Sequence, residues 1–426
     1  MSSDGGLLLA MQTERRIGLL RKLAGCLVDK RDKTKVRQTV EAMLTQRIFG
    51  IMCGYEDCND FDRLREDPMF KLAVRRSPER GRGLASQPTL SRLENSVGKR
   101  ELFRMAAALV DVFIESHRGE RVKRIILDAD GTDDPAHGQQ EFEFFNRHYD
   151  CHCFLPLLVY ATVETEGAVG TSRSSGREQE LVCALLRTGK ASAGQKALAL
   201  VKRLVERLRA AFPGVEIVFR GDSGFSLPDL YAYLDDAEVG YAISMGKNSV
   251  LLSKSEPYLV RARRQRDVNG EVAREFADFA YKSKGWNHER RVVVKAEVLP
   301  DKENPRYVVT NLDLDPEAAY EFYTERGDVE NRIKELKDDL FSGRTSCHRF
   351  LANQFRLLLH AAALVLIQAV RRQFAGSEMG RIQAGNMRCK LFKVAARVVE
   401  TSRRIVIHLP TSYPWQRTWE RLFDPA

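Results

Sequence analysis

The order of secondary-structure signals after Arg121 restricts what this chain can fold into more than any other feature. Val122 to Asp130, with Ile125, Ile126 and Leu127 at its centre, reads as a first strand. Phe154 to Glu164 and Glu180 to Arg187 read as the second and third, with Gly167 and Gly170 marking a turn between them. Ala197, Val201, Leu204, Val205, Leu208 and Phe212 then repeat on one face of a helix that Pro213-Gly214 ends. A fourth strand, Val215 to Phe219, a helix, Leu227 to Leu234, and a fifth strand, Tyr241 to Ser244, complete the order strand, strand, strand, helix, strand, helix, strand. Such alternation predicts an α/β unit in which helices cover a sheet.

The flanking segments differ in character. From Thr13 to His117 apolar residues recur at three- and four-residue spacing, as in Ile17, Leu20 and Leu23 and again in Val40, Leu44, Ile48 and Ile51, which predicts a helical region. A basic loop, Arg75 to Gly83, precedes a short helix around Thr89 to Arg92. Arg92 is a candidate DNA contact there, although a capped helix of this composition is equally ordinary. Between Gly246 and Asn311 the chain is basic and strand-rich, with strands expected at Phe276 to Tyr281, Arg291 to Val298 and Tyr307 to Thr310, and it reads as an insertion. Helical signals return at Pro316 and dominate to Arg404. The expected units are a helical region at 1–118, the core at 119–245, a β-rich insertion at 246–311, the core's final helix at 312–345 and a helical region at 346–426.

Charge and cysteine content narrow the partners. Sixty-eight basic residues against 58 acidic ones give a net charge of +10, an excess that reads as a patch rather than a tail and suits a polyanionic partner. No basic stretch precedes Leu7, Leu8 and Leu9, so a secretory signal is not expected, and the apolar run Ala361 to Val370 is too short to cross a bilayer. A cytoplasmic protein with no membrane partner and with its eight cysteines reduced is the expectation. Cys151, His152 and Cys153 near His148 lack a second ligand pair and read as strand residues rather than a zinc site.

The residues that can carry chemistry sit at strand ends and on one helix. At about 100° per residue, Tyr323, Arg326, Glu330, Lys334 and Lys337 fall within an arc of roughly 80°. Val329, Ile333, Leu336 and Leu340 form an apolar stripe beside them that can anchor the helix. A carboxylate flanked by Arg and Lys suits a site that binds a divalent ion and a phosphodiester, against the plainer reading of a solvated face with intrahelical ion pairs. Asp222 follows the fourth strand, where an Asp can also simply cap the next turn. Asp128 and Asp130 end the first strand and, two residues apart, share a face. Either could be a ligand, and Asp133 and Asp134 read as turn residues. Two strand-end carboxylates and a helical one would hold a pair of divalent ions about 4 Å apart. No Walker loop, GxSxG elbow or HExxH helix is present.

The string Tyr323-x2-Arg326-x3-Glu330-x6-Lys337 resembles the Y-R-E-K signature of bacterial DDE insertion-sequence transposases. Gly54 to Asp57, Leu84 to Arg92, Leu127 to Gly138 and Arg220 to Ser223 are similar to the insertion-sequence thirteen-eighty family, so the likeness covers most of the chain. The resemblance implies an α+β fold with a ribonuclease H-like catalytic core, with which the strand order is compatible, interrupted by a β-rich insertion. It implies Asp222 and Glu330 as second and third metal ligands and, through Asp130-Gly131-Thr132, favours Asp130 over Asp128 as the first. It further implies two Mg²⁺ or Mn²⁺ ions, and DNA ends and target DNA as partners of a homodimer in a synaptic complex. Arg326 and Lys337 would contact phosphates, with Tyr323 in support. Trp286, ahead of Arg290 and Arg291, is the candidate to stack on a flipped base, against ordinary packing. The expected activity is cut-and-paste transposition. An inactive DNA-binding derivative and a metal-dependent nuclease are the rival readings.

Overall fold

The computed structural model describes residues 1–166, 178–192 and 194–423, so the turn expected at Gly167 and Gly170 lies outside the described residues. The strands of its main sheet are β1 (Val122–Gly131), β2 (Leu157–Thr165), β3 (Glu180–Leu185), β4 (Glu216–Gly221), β5 (Gly240–Met245), β6 (Ala273–Tyr281), β7 (Arg290–Val298) and β8 (Arg306–Thr310). They line up as β3-β2-β1-β4-β5-β8-β7-β6. β1, β4 and β5 run parallel, β2 is antiparallel to β1 and to β3, and β8, β7 and β6 continue as an antiparallel meander from β5. The fold is mixed α+β with a mixed sheet.

Helices cover both faces, which is why the middle of β1 is a continuous apolar run rather than an alternating one. Ile125, Leu127 and Ala129 face a core shared with Ile217, Phe219, Tyr241 and Ile243 and with the helices Ala197–Ala211, Pro228–Asp236 and Ser249–Asn269. On the other face Leu158, Tyr160, Leu181 and Ala184 pack against Val329 and Ile333 and against the helix Phe350–Arg372. Asp128 and Asp130 pair across the ladder with Tyr160 and Leu158, so both carboxylates belong to this second face.

Three expectations are corrected. The 246–311 segment is not strands alone: Ser249–Asn269 is a 21-residue helix that packs on β6 and β7. Its buried residues are only Leu251, Ser255, Leu259 and Ala262, and a proline sits inside it at Pro257, so its apolar stripe is too thin to read. Nor do its strands stand apart, since β8 pairs with β5 from Tyr307 to Met245 through Thr310 to Ala242. The apolar run near Ala361 is part of a longer helix, Phe350–Arg372, which by length and composition could cross a membrane. Its most apolar window is 89% buried, with the N-terminal helices Leu7–Ile17, Val40–Met52 and Lys99–Ser116 packed around it. The last region is not helical throughout, because Arg397–Glu400 and Ile405–His408 form a two-stranded ribbon.

Candidate active site

β1 and β4 lie side by side and end at the same edge, which brings Asp130 and Asp222 to one place. Glycine precedes Asp222 for a steric reason: a Cβ at Gly221 would meet the Phe225 ring at 3.0 Å. Asp222 caps the short 3₁₀ turn that follows, accepting from the Gly224 amide at 2.9 Å. One carboxylate oxygen thus serves the cap.

The two aspartates of β1 have different surroundings. Asp128 is completely buried, and both of its oxygens are taken by the Arg220 guanidinium, at 2.6 and 2.8 Å. Arg220 stands directly beside it in the β1–β4 register. The same guanidinium donates to the Phe322 carbonyl at 2.6 Å, lies 4.8 Å from the Phe322 ring and approaches Glu325 at 3.5 Å. Asp128 and Arg220 therefore clamp the start of the 316–339 helical segment onto the sheet. Asp130, at the strand end, is ion-paired with Arg326 at 2.9 Å and accepts from the Gly131 amide at 2.8 Å. Burial pushes its carboxyl up to about 6; Arg326 pulls it down, while Asp222 and Glu330 push it further up. The negative charges of the other two acids thus oppose ionisation of Asp130.

The helical segment is not the uniform α-helix that the arc calculation assumes. An α-helix over Pro316–Thr324 tightens to a 3₁₀ turn at Glu325–Gly327, resumes over Asp328–Lys334 and widens to a π turn at Glu335–Asp339. Tyr323 is half-buried against Tyr320, Arg326 is buried, and Glu330 and Lys334 are exposed. Lys337 donates to Asp133 at 2.7 Å. Arg326 thus meets the end of β1 at Asp130, and Lys337 meets the loop just beyond it at Asp133. The π turn is held by Glu335, which is buried, bonds Arg332 at 2.7 Å, pairs with Arg371 and accepts from the Ala384 amide at 2.7 Å. π turns are frequent at functional sites.

Other candidates sit elsewhere. Trp286 is 6% exposed and packs edge-on against Tyr231 and Tyr281 in the core on the opposite face of the sheet from the helical segment, so its ring is spent on packing rather than free to stack. Arg290 is buried over that ring and bonds Asp235 at 2.6 Å, and Arg291 bonds Asp278 at 2.6 Å and the Leu312 carbonyl at 2.9 Å. Arg92 is exposed on the helix Gln87–Ser96, with Thr89 within 3.2 Å. Asp133 and Asp134 are more than turn residues: besides the Lys337 contact, Asp134 is buried, accepts from Thr345 at 2.7 Å and is pushed up to about 7 by burial.

Three residues near the acids were not among the candidate site residues. Arg187, buried and pulled down to about 10 by that burial, donates to the Leu155 and Ser192 carbonyls at 2.9 and 3.0 Å and feels the charge of Asp222. Tyr149 lies in the field of Asp133, Asp130 and Asp222. Arg220 had one sequence signal, a charged residue inside the apolar run Val218-Phe219-Arg220, which demands a buried acid on a neighbouring strand.

Among the described residues no three His, Cys, Asp or Glu side chains converge closely enough to hold a metal ion as they stand. That includes Cys151, His152 and Cys153.

A family model described as transposase DDE domain group 1 matches residues 1–425. The chain belongs to that family: it is a transposase of the DDE class, a protein of DNA transposition and recombination. No curated protein matches it. Among solved structures it is similar to a chain of the piggyBac transposase synaptic complex with hairpin DNA, at 12% identity over 99% of this chain and 82% of that one. The TM-score is 0.43, too distant a likeness to carry an argument.

Proposed function

We propose that this transposase cleaves the ends of an insertion sequence and joins the freed 3′ ends to target DNA at Asp130, Asp222 and Glu330. The observation that carries the reading is the shared edge at which β1 and β4 end in Asp130 and Asp222, to which the Arg326–Asp130 ion pair fastens the helical segment that bears Glu330. The strand order β3-β2-β1-β4-β5 with β2 reversed supports a ribonuclease H-like core.

The donor set suits a metal. Three carboxylates are hard oxygen ligands of the kind Mg²⁺ and Mn²⁺ take, and crowding of like charge is what a dication relieves. Asp130, Asp222 and Glu330 would hold two such ions, which when bound activate the attacking oxygen and stabilise the leaving one. Asp128 is the poorer ligand because Arg220 already occupies both of its oxygens. In the free protein Arg326 neutralises Asp130, and Lys337 neutralises Asp133. Both cations stand where a DNA phosphate would compete for them, so Arg326 and Lys337 would exchange carboxylate for phosphate as the strand enters. Tyr323 supports the turn that presents Arg326. Water, held in line, would release a 3′ hydroxyl, and that hydroxyl would then attack a target phosphodiester in a cut-and-paste sequence. Two ends brought together imply a homodimer.

The test is strand cleavage of end-containing DNA in Mg²⁺. Glu330→Gln keeps the helix and the charge-free shape of the side chain, so DNA binding in EDTA should match wild type while cleavage disappears. Cleavage at the wild-type rate by this variant would refute the assignment.

A further inference from the structure

Residues 142–152 read Phe-Glu-Phe-Phe-Asn-Arg-His-Tyr-Asp-Cys-His, and several of these rings face water. Phe142, Phe145 and Tyr149 are 56, 49 and 37% exposed. Leaving large rings in water on one short segment is costly, and clustered exposed apolar surface commonly marks a contact site. The strands Phe144–Asn146 and Cys151–Phe154 form a hairpin, and Asp134–Pro135 flanks its second strand.

The tip, Arg147 to Asp150, is locally braced. Asn146 accepts from the His148 and Tyr149 amides at 2.9 and 3.3 Å, and its amide donates to the Gly189 carbonyl at 3.0 Å. Phe145 meets His152, and His148 meets Tyr149, edge to face with ring centroids 5.7 and 4.7 Å apart. Two cations stand with the rings: Arg147 is exposed at the tip, and the Lys190 ammonium, also exposed, lies 4.4 Å over the Phe144 ring. The hairpin adjoins the end of β1, since its strand Cys151–Phe154 pairs with Asp134–Pro135, directly after Asp133, which accepts from Lys337 at 2.7 Å.

Flat rings and cations together recognise one form of DNA. In a duplex the base faces are stacked inside and only edges are offered in the grooves, whereas unpaired nucleotides expose faces to stack on and a flexible backbone for cations to follow. We propose that the 144–154 hairpin binds the unpaired nucleotides of the DNA strand that enters the carboxylate site, with Phe145 and Tyr149 as stacking platforms and Arg147 and Lys190 as phosphate contacts. The inference rests on the reading of that site as the one that cleaves DNA.

The experiment compares binding, in EDTA, of a forked duplex whose unpaired arm carries 2-aminopurine with that of a blunt duplex of the same sequence. Wild type should prefer the fork at least about fivefold and quench the 2-aminopurine fluorescence, as base stacking on aromatic side chains predicts. Phe145→Ala combined with Tyr149→Ala should abolish both the preference and the quench. Tyr149→Phe alone, which keeps the ring, should retain both. Equal binding of fork and blunt duplex by wild type, or a preference that survives the double alanine variant, would overturn the proposal. So would a double variant that changes only the sedimentation of the free protein, which would assign the face to a second copy. Binding in EDTA is independent of cleavage, so failure of the carboxylate reading would instead appear as unimpaired cleavage by Glu330→Gln.

Discussion

Asp128 and Asp130 lie two residues apart on one strand face, yet substitution should separate them completely. Asp128→Asn removes the negative charge from a site where its carboxylate is 0% and the Arg220 guanidinium 3% exposed. The guanidinium would then be left buried and ionised against a neutral amide that keeps one acceptor oxygen, with the Phe322 carbonyl and Glu325 as its other partners. Breaking a buried pair by removing one partner costs about 3–5 kcal/mol. The loss should appear as a lower melting temperature, followed by circular dichroism, and as faster proteolysis near Phe322, because the clamp on the helical segment loosens. Asp130→Asn should behave in the opposite way. It gives up the Arg326 pair but also relieves repulsion from Asp222 and Glu330, so stability should change by no more than about 1 kcal/mol while strand cleavage is lost. The reasoning would be refuted by an Asp128→Asn variant that melts like wild type but cannot cleave.

Three further outcomes follow from the same geometry. Burial lifts the Glu14 carboxyl from 4.5 to about 7, although it accepts from the Leu20 amide at 2.8 Å, so the folded protein resists ionising it. The unfolded chain ionises it first, and stability is therefore lost as pH rises from about 4.5 to 7 and is level above that. Glu14→Gln should melt higher than wild type at pH 8, by at most about 3 kcal/mol, and match it near pH 4.5. Burial beside Arg47 and Arg356 pulls His360 down to about 3, so its contribution is present above about 6.5 and lost as pH falls toward 3. His360→Asn should flatten that acid limb in melts recorded across this range. Glu335→Ala leaves Arg332 and Arg371 without their shared acid and should cost about 3–5 kcal/mol in chemical denaturation, whereas Lys334→Ala on the exposed side should cost under about 0.5 kcal/mol.

The core of the sheet was legible because burial on both faces leaves a continuous apolar stretch at the centre of β1 and of β4, Ile125 to Leu127 and Ile217 to Phe219, with an acid at the end of each strand. Periodicity could not divide Asp128 from Asp130, since residues two apart on a strand point the same way. Their environments differ through Arg220, whose place opposite Asp128 depends on strand register. Trp286 among basic residues could be read as a stacking ring or as packing, and Tyr231 from the helix Pro228–Asp236 and Tyr281 from β6 enclose it. The 249–269 helix was hidden because few of its residues touch the core. On the helical segment, the spacing of Arg326, Glu330 and Lys337 carried the common direction, while the 3₁₀ and π turns that adjust it leave no mark in composition.

The claim that Asp130, Asp222 and Glu330 together hold the metal ions is tested most directly by exchanging each for cysteine and assaying strand cleavage in Mg²⁺ and in Mn²⁺. A thiolate is a poor ligand for Mg²⁺ and an acceptable one for Mn²⁺. Asp130→Cys, Asp222→Cys and Glu330→Cys should be inactive in Mg²⁺ and partly restored by Mn²⁺, whereas Asp128→Cys should gain nothing from Mn²⁺ over Mg²⁺. Restoration of Asp128→Cys by Mn²⁺, or undiminished Mg²⁺-dependent cleavage by any of the other three, would contradict the account.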